Sequence, residues 1–324
     1  MGKYVLKRIA LMIVTGFIIM TILFMMIRLL PFKMPPEPGV PVDYIDKLRK
    51  AYGYDEPLIV QYGIFLKGLF TKFDWGIAIK AGGAKYSPVT KIVLEKLPAT
   101  MYVNLFSILF SIPVGLGLGI FAALKKNKWQ DHLVSTLVMV AISVPGFVVA
   151  FLLQYIFCYQ LGWFDFTMAA TSKYGWWSWK TFSSVILPIM ALSFGSIAGF
   201  TRYTRAELTE VLTSDFMLLA RTKGLKRSQA TVRHALRNSM VPIFPMILGE
   251  IISVLSGSII IEQIFTVNGV GGIYLDSILK RDLDVFQFVS VFYILIGLIG
   301  GLVVDISYGI VDPRIRMGGG KDNG

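Results

Sequence analysis

The densest group of chemically distinctive residues lies in one stretch, "SDFMLLARTKGLKRSQATVRHALRN", residues 214–238. Asp215 opens it, Ala220, Arg221, Lys223, Gly224 and Leu225 follow closely, and His234, Arg237 and Asn238 end it. Lys226, Arg227 and Arg233 add charge, and no acidic residue stands between Asp215 and Asn238. Nothing here pairs a nucleophile with a base, and the two histidines, His132 and His234, are too far apart for a zinc-ligand spacing. A G-x-x-x-x-G-K-[ST] phosphate loop is also missing, since "GGAKYS" and "GLKRS" have the wrong spacing. What the pattern offers is mechanical. Ser214 and Asp215 are helix-starting residues, and Phe216, Leu218 and Leu219 form an apolar run beside them. Gly224 then turns the chain, because glycine enters left-handed geometry at little cost. A helix–glycine–helix elbow with outward apolar side chains suits insertion into a partner's groove. A loop that only sets orientation would need charge but no such pattern.

The elbow sits in a chain of 324 residues that is 55% hydrophobic and 16% charged. Soluble chains are about 25% charged. Six apolar runs, at about 9–30, 99–124, 132–161, 184–204, 241–264 and 287–311, are long enough to span lipid, where only a helix satisfies its own backbone. The expected fold is an all-α integral membrane protein with six transmembrane helices. Its net charge of +12 then reads as orientation signal and headgroup contact, not as nucleic-acid binding. A single cysteine, Cys158, excludes a disulfide within the chain. The first run follows Lys3, Lys7 and Arg8 but exceeds the roughly 7–15 residues of a signal-peptide core. "PFKMPPEPG" offers no cleavage site, so an uncleaved helix is expected, with Arg28 snorkelling at its outer end.

Residues 31–98 form a long outer insert. "VDYIDKLRKAYG" predicts a helix capped by Asp43 and stopped at Gly53, and "EPLIVQYGIFLKGLF" an amphipathic helix with Pro57 in its first turn. Pro98 is expected to open the second span and Pro145 to kink the third. Trp163, Trp176, Trp177 and Trp179 suggest interfacial anchoring, with a ligand-stacking box as the alternative. Lys125, Lys126, Lys128, the 205–240 loop and Arg314, Arg316 and Lys321 in the tail place both termini and the elbow in the cytoplasm by the positive-inside rule. The resulting divisions are 1–30 with the first span, the extracytoplasmic loop 31–98, a core at 99–311 holding the cytoplasmic loop 205–240, and a tail at 312–324.

"DFMLLARTKGLKRSQATVRHALRNSMVP" resembles the cytoplasmic loop of ABC-importer permeases, most of all the oligopeptide/dipeptide branch. Asp215, Ala220, Arg221, Lys223, Gly224, Leu225, His234, Ala235, Leu236, Arg237, Asn238 and Pro242 carry the match, while Leu218 stands where other branches have glutamate. "YGYDEPLIVQY", "VLEKLPATMYVNL", "IIIEQIFTVNGVGGIYLDSILKRDLDV" and "VDISYGIVDPRIR" are similar to further stretches of the family; "PFKMPPEPG" and "FDWGIAI" depart from it. The resemblance implies a type I ABC-importer permease fold in a prokaryotic plasma or inner membrane. It implies a second homologous permease, two cytoplasmic ABC ATPases docked on the elbow, and an extracytoplasmic solute-binding protein that delivers peptide. ATP and Mg would be bound by the ATPases, leaving this chain without cofactor, metal or enzymatic activity. Asp215, Ala220, Arg221, Lys223, Gly224, Leu225, His234, Arg237 and Asn238 would couple ATP hydrolysis to transport. The same architecture carrying nickel or another small solute is the alternative. A stand-alone secondary transporter is disfavoured, because the halves show no inverted repeat.

Polar groups within spans mark candidate pathway positions: Asn104, Ser143, Gln154, Glu250, Ser253 and Ser256. Glu250, expected near the middle of the fifth span, either lines the pathway and attracts a peptide amino terminus or partners a polar group on another helix. Glu262 and Asp305 read as structural. Gly115, Gly117, Gly119, Gly297, Gly300 and Gly301 are expected at close helix contacts.

Overall fold

The computed structural model describes residues 2–30 and 40–311. "PFKMPPEPG" and the basic tail with Arg314, Arg316 and Lys321 lie outside them. The chain runs α1 (Gly2–Arg28), α2 (Val42–Ala51), α3 (Leu58–Lys72), β1 (Ile77–Ala78), β2 (Ser87–Pro88), α4 (Val89–Leu124), α5 (Trp129–Ser143) and α6 (Gly146–Leu153). It continues through α7 (Thr171–Tyr174), α8 (Trp179–Leu212), α9 (Asp215–Thr222), α10 (Arg227–Ala230), α11 (Leu236–Ser253), α12 (Ile259–Ile264), α13 (Val270–Leu279) and α14 (Leu283–Val311). Apart from the antiparallel β1–β2 ladder it is helical, and it is a multi-pass membrane protein as the six-run pattern predicts. Among the described residues five helices are long and apolar enough to cross a membrane: Val5–Arg28, Val89–Leu124, Trp179–Leu212, Arg227–Ser253 and Leu283–Gly309. The sixth candidate is α5 and α6 together with the π-helical 154–160, bent by 98° at their junction.

The bend follows from Pro145. Proline disfavours helical geometry in the residue before it, and Val144 is extended at φ −88°, ψ 123°. Pro98, by contrast, lies inside α4 instead of opening it. The helix starts earlier because Val89 and Val93 are buried in an apolar core with Trp75, Ala78, Val270 and Val285. The fifth span also differs from its predicted range. It starts at Arg227, before the predicted 241, and ends at Ser253; residues 254–258 break the helix before α12, with Gly257 at φ +61°. Glu250 therefore belongs to the last turn of α11, not to mid-span. Asp43 does not cap α2: the helix starts at Val42, Pro41 holds the cap position, and no side-chain cap bond forms.

The described chain divides into two compact units. One comprises Gly2–Met101 and Leu255–Ile299. Its buried carboxylates tie down the β1 region. Asp282 Oδ2 accepts from the backbone N–H of Ile79, Lys80 and Ala81 at 2.7, 2.8 and 2.9 Å. Asp284 accepts from Ile77 N–H at 3.0 Å, Tyr54 Oη–H at 2.7 Å and Arg28 Nη2 at 2.9 Å. Arg28 thus does not snorkel. Its side chain is 8% exposed, because Asp284 and the Tyr54 ring, 4.2 Å away, hold the guanidinium inside. Glu262 is also buried: Thr100 Oγ1–H and Gly271 N–H donate to it at 2.9 and 2.8 Å, and side chains at Gly257 or Gly269 would collide with its carboxylate.

The other unit comprises Tyr102–Val254 and the described part of Gly300–Gly324. Here α8 packs against α5, α6 and α11. Gly115 and Gly119, one helical turn apart on α4, let α8 approach closely. A Cβ on Gly115 would lie 2.6 Å from Phe200 Cβ, and one on Gly119 2.8 Å from the Thr201 carbonyl oxygen. A hydrogen bond between Ser107 and Ser193 (3.0 Å) and one from Thr201 Oγ1–H to the Gly115 carbonyl (3.2 Å) add polar pins, as small-residue contacts in lipid do. A Cβ on Gly300 would lie 3.6 Å from Ile252, whereas one on Gly117, Gly297 or Gly301 would meet nothing within 4 Å among the described residues.

Candidate functional site

The elbow grows from the end of α8. Thr213 N–H and Ser214 Oγ–H return to the carbonyls of Glu210 and Val211 at 3.1 and 2.6 Å, closing that helix. The Ser214 carbonyl then accepts from Met217 N–H at 3.0 Å and starts α9. Asp215 sits exposed in the first turn, where a carboxylate complements the helix dipole. At the far end, Lys223 N–H and Leu225 N–H return to the carbonyls of Leu219 and Ala220 at 3.1 and 3.4 Å. Gly224 makes this closure possible with φ +87°. Among the described residues a Cβ there would touch nothing within 4 Å, so the requirement is conformational and not steric. Lys226 N–H then donates to the Gln229 side chain at 3.1 Å, and α10, a π turn at 231–235 and α11 run on as one span.

Two faces of α9 differ in role. Met217 and Ala220 are buried with Ala123, Leu208, Ala230 and Ala235, flanked by Leu225 and Leu236. Five alanine or methionine side chains at this junction allow close approach of α9, α10 and the ends of α4 and α8. The opposite face carries Phe216, Leu218 and Leu219 at 39, 57 and 56% exposure, with Val232 at 63%. Lys223, Lys226, Arg227, Arg233, His234, Arg237 and Asn238 are exposed around them. The elbow therefore joins an apolar ridge to a basic surface on a packed base. Of the residues singled out by sequence, Ala220 and Leu225 belong to that base, Gly224 to the turn, and Asp215, Lys223, His234, Arg237 and Asn238 to the surface. Arg221 lies within α9, but its side chain is outside the described set.

The pathway candidates are spread over several elements. Asn104 lies on α4 and Gln154 starts the π-helical turn after α6. Ser143 donates to the Met139 carbonyl at 2.8 Å and borders a cavity of about 560 Å³ between α5 and α8, whose wall includes Ser135, Thr201 and Arg205. Glu250 accepts from Ser196 Oγ–H on α8, and Ser253 Oγ–H donates to the Glu250 carbonyl at 2.6 Å. Ser256 lies in the break after α11. The sequence did not foresee the pairing of Arg205 with Asp131, which links α8 to α5 with Asp131 buried. Asp131, two residues past "KKNKW", and Arg205, just past the fourth apolar run, were the available signal: opposite charges at the ends of two spans expected on the same side of the membrane.

The sequence profile of the family described as binding-protein-dependent transport system inner membrane component matches residues 115–317, which include the elbow, α8 and α11. Over its full length the chain is similar to the dipeptide transport system permease protein DppB of Lactococcus lactis subsp. cremoris, with 35% identity over 317 residues, covering 98% of this chain and 100% of that one. The dipeptide permease DppB of Bacillus subtilis is also 35% identical, over 319 residues and 98% and 99% of the two chains. The glutathione transport system permease protein GsiC of Escherichia coli K12 is 30% identical, with the same coverage. With its helical spans and its elbow inside the matched region, the chain belongs to the binding-protein-dependent transport system inner membrane component family.

Proposed function

We propose that this chain is the transmembrane permease subunit of an ATP-binding-cassette importer and forms half of a translocation pathway for di- and oligopeptides. A second homologous permease supplies the other half. Two cytoplasmic ATPases, which bind ATP and Mg, dock on the elbows, and an extracytoplasmic binding protein delivers the cargo. The chain lies in a prokaryotic plasma or inner membrane with both termini and the elbow inside, as the basic short loops favour. Nickel or another small solute is the alternative cargo.

The observation that carries the reading is the outward apolar ridge of Phe216, Leu218 and Leu219 on a helix whose other face is locked by Ala220. An exposed apolar ridge ringed by basic residues fits a groove with an acidic rim. Because Ala220 packs on Leu208 and Ala123, a displacement of α9 is transmitted to α8 and α4 rather than absorbed in a soft loop. ATP-driven closure of the ATPases would draw the elbows together and bias the spans between two states, which is what coupling between distant sites requires. Asp215, Ala220, Arg221, Lys223, Gly224, Leu225, His234, Arg237 and Asn238 form the coupling element. Asn104, Ser143, Gln154, Glu250, Ser253 and Ser256 are pathway positions, with Glu250 held by Ser196. Peptide as cargo rests on the full-length similarity to two dipeptide permeases and a glutathione permease.

The test is uptake by the co-purified complex in proteoliposomes, with its binding protein outside. Accumulation of a labelled dipeptide that requires both ATP and the binding protein is expected. Accumulation of nickel but not peptide would overturn the cargo, and uptake independent of ATP would overturn the coupling.

A further inference from the structure

A cavity of about 540 Å³ opens where α1 ends and α3 passes, within the unit that contains both. Arg28, Gln61, Lys67, Lys72, Asp74 and Trp75 are among the residues that line it. Two of these side chains are more than nine-tenths buried, Arg28 at 8% and Trp75 at 7% exposure. Arg28 spends Nη2 on Asp284, and its guanidinium faces the rings of Tyr54 and Phe24 at 4.2 and 5.3 Å. Among the described residues its Nε and Nη1 have no hydrogen-bond partner, and neither does Trp75 Nε1. Gln61 Oε1 is an unpaired buried acceptor beside them, since Gln61 Nε2 is used on the Glu56 carbonyl at 2.8 Å.

Buried donors without partners are costly, and the residues that carry these all line the one cavity, which suits a ligand with complementary groups. Three N–H donors ask for an oxyanion, and the single acceptor asks for a hydroxyl or ammonium close to it. The exposed Lys67 and Lys72 at the rim outweigh Asp74, so the surroundings favour negative charge. The cavity's depth decides the source of that anion. Arg28 is the last residue of the apolar span Val5–Arg28, which places it at the hydrocarbon boundary. On the same unit Ile59 and Phe70 of α3 and Phe73 after it are largely exposed, an apolar face of the kind that suits a membrane interface.

We infer that this cavity binds the headgroup of an anionic membrane phospholipid, with Arg28 and Trp75 on the phosphate oxygens, Gln61 on a headgroup hydroxyl, and Lys67 and Lys72 at the rim. Lipid bound here bridges the end of α1 to α3 and to the loop at Trp75, steadying the outer insert from the membrane side.

The full-length chain, purified with whatever subunits it retains, is placed in phosphatidylcholine nanodiscs and titrated with phosphatidylglycerol, and bound lipid is counted by native mass spectrometry. One phosphatidylglycerol per chain is expected to survive activation that strips the annular lipid. Arg28→Gln abolishes that retained lipid. K67Q/K72Q, confined to exposed side chains and therefore safe for folding, weakens it by about ten-fold or more. Equal retention in the wild type and K67Q/K72Q would overturn the site. Displacement of the lipid by equimolar inorganic phosphate would also overturn it, by assigning the cavity to a soluble oxyanion.

Discussion

Arg205 on α8 holds Asp131 on α5 through two hydrogen bonds, Nη2 to Oδ2 at 2.8 Å and Nε to Oδ1, across 74 positions of sequence. Asn127 N–H adds a third donor to the same carboxylate at 2.9 Å. The pair joins the helix that leads into the elbow to the first limb of the broken span. Asp131 is buried, so removing Arg205 leaves its carboxylate with Asn127 N–H and the Ser135 hydroxyl as donors and no neutralising charge. Arg205→Met is therefore expected to destabilise the purified chain by about 1–3 kcal/mol. The double variant R205M/D131L recovers most of that loss. Fluorescence-monitored thermal unfolding of the two variants decides the matter; equal damage in both would mean that the pair is not the source of the stability.

Gly224 needs its left-handed backbone, and a side chain there meets no described residue within 4 Å. Asparagine tolerates this geometry better than alanine, and a β-branched residue tolerates it least. Uptake should fall in the order Gly224, Gly224→Asn, Gly224→Val, while the protein still reaches the membrane. ATP hydrolysis in Gly224→Val is expected to continue without transport. Uptake in Gly224→Val equal to wild type would remove the turn from the coupling path.

The two faces of α9 should separate in experiment. Ala220→Leu pushes a larger side chain into the contact with Leu208 and Ala123, and is expected to lower thermal stability by about 1–3 kcal/mol. Leu218→Ser with Leu219→Ser changes only exposed positions, so stability stays within about 0.5 kcal/mol while ATPase subunits are lost on purification. Retained ATPase in the double serine variant would show that the ridge is not the dock.

Burial pushes the Glu262 carboxyl above its usual range, against the Thr100 hydroxyl and the Gly271 and Gly272 N–H groups, which pull it down. Because the folded value lies above the unfolded one of about 4.3, the folded state keeps a proton that the unfolded chain gives up. This contribution is complete at pH values below the unfolded one and is lost as pH rises through the folded value. Glu262→Gln keeps an acceptor for Gly271 and removes the titration. The part of the decline in melting temperature above about pH 4 that comes from this group should vanish in the variant. An unchanged pH slope would mean that Glu262 does not titrate differently in the two states.

The helical spans and the elbow were legible because each announces itself locally. The runs are apolar for the length that lipid demands, and Gly224 is flanked by a helix start at Ser214 and a restart at Lys226. Pro145 likewise marked the break in the third span, though not its 98° angle. What stayed hidden depends on partners distant in the chain. Pro98 looked like a helix start, yet Val89 and Val93 found buried neighbours in α13 and α14 and carried the helix through it. Arg28 looked like a snorkelling residue because its partner, Asp284, is 256 positions away. Gly115 and Gly119 were recognisable as small residues, but only the approach of Phe200 and Thr201 separates them from Gly117. Glu250 was misplaced because composition does not register the break that ends α11 at Ser253.

The central claim is that the ridge on α9 is where an ATPase binds. A photo-crosslinking amino acid at Leu218, activated in native membranes, tests it most directly, with the same group at the exposed Ile13 of α1 as the lipid-facing control. A single covalent product between the chain and an ABC ATPase, formed from Leu218 and absent from Ile13, is the predicted result. Crosslinking at Leu218 to lipid alone, in membranes where the ATPase is present, would contradict the account.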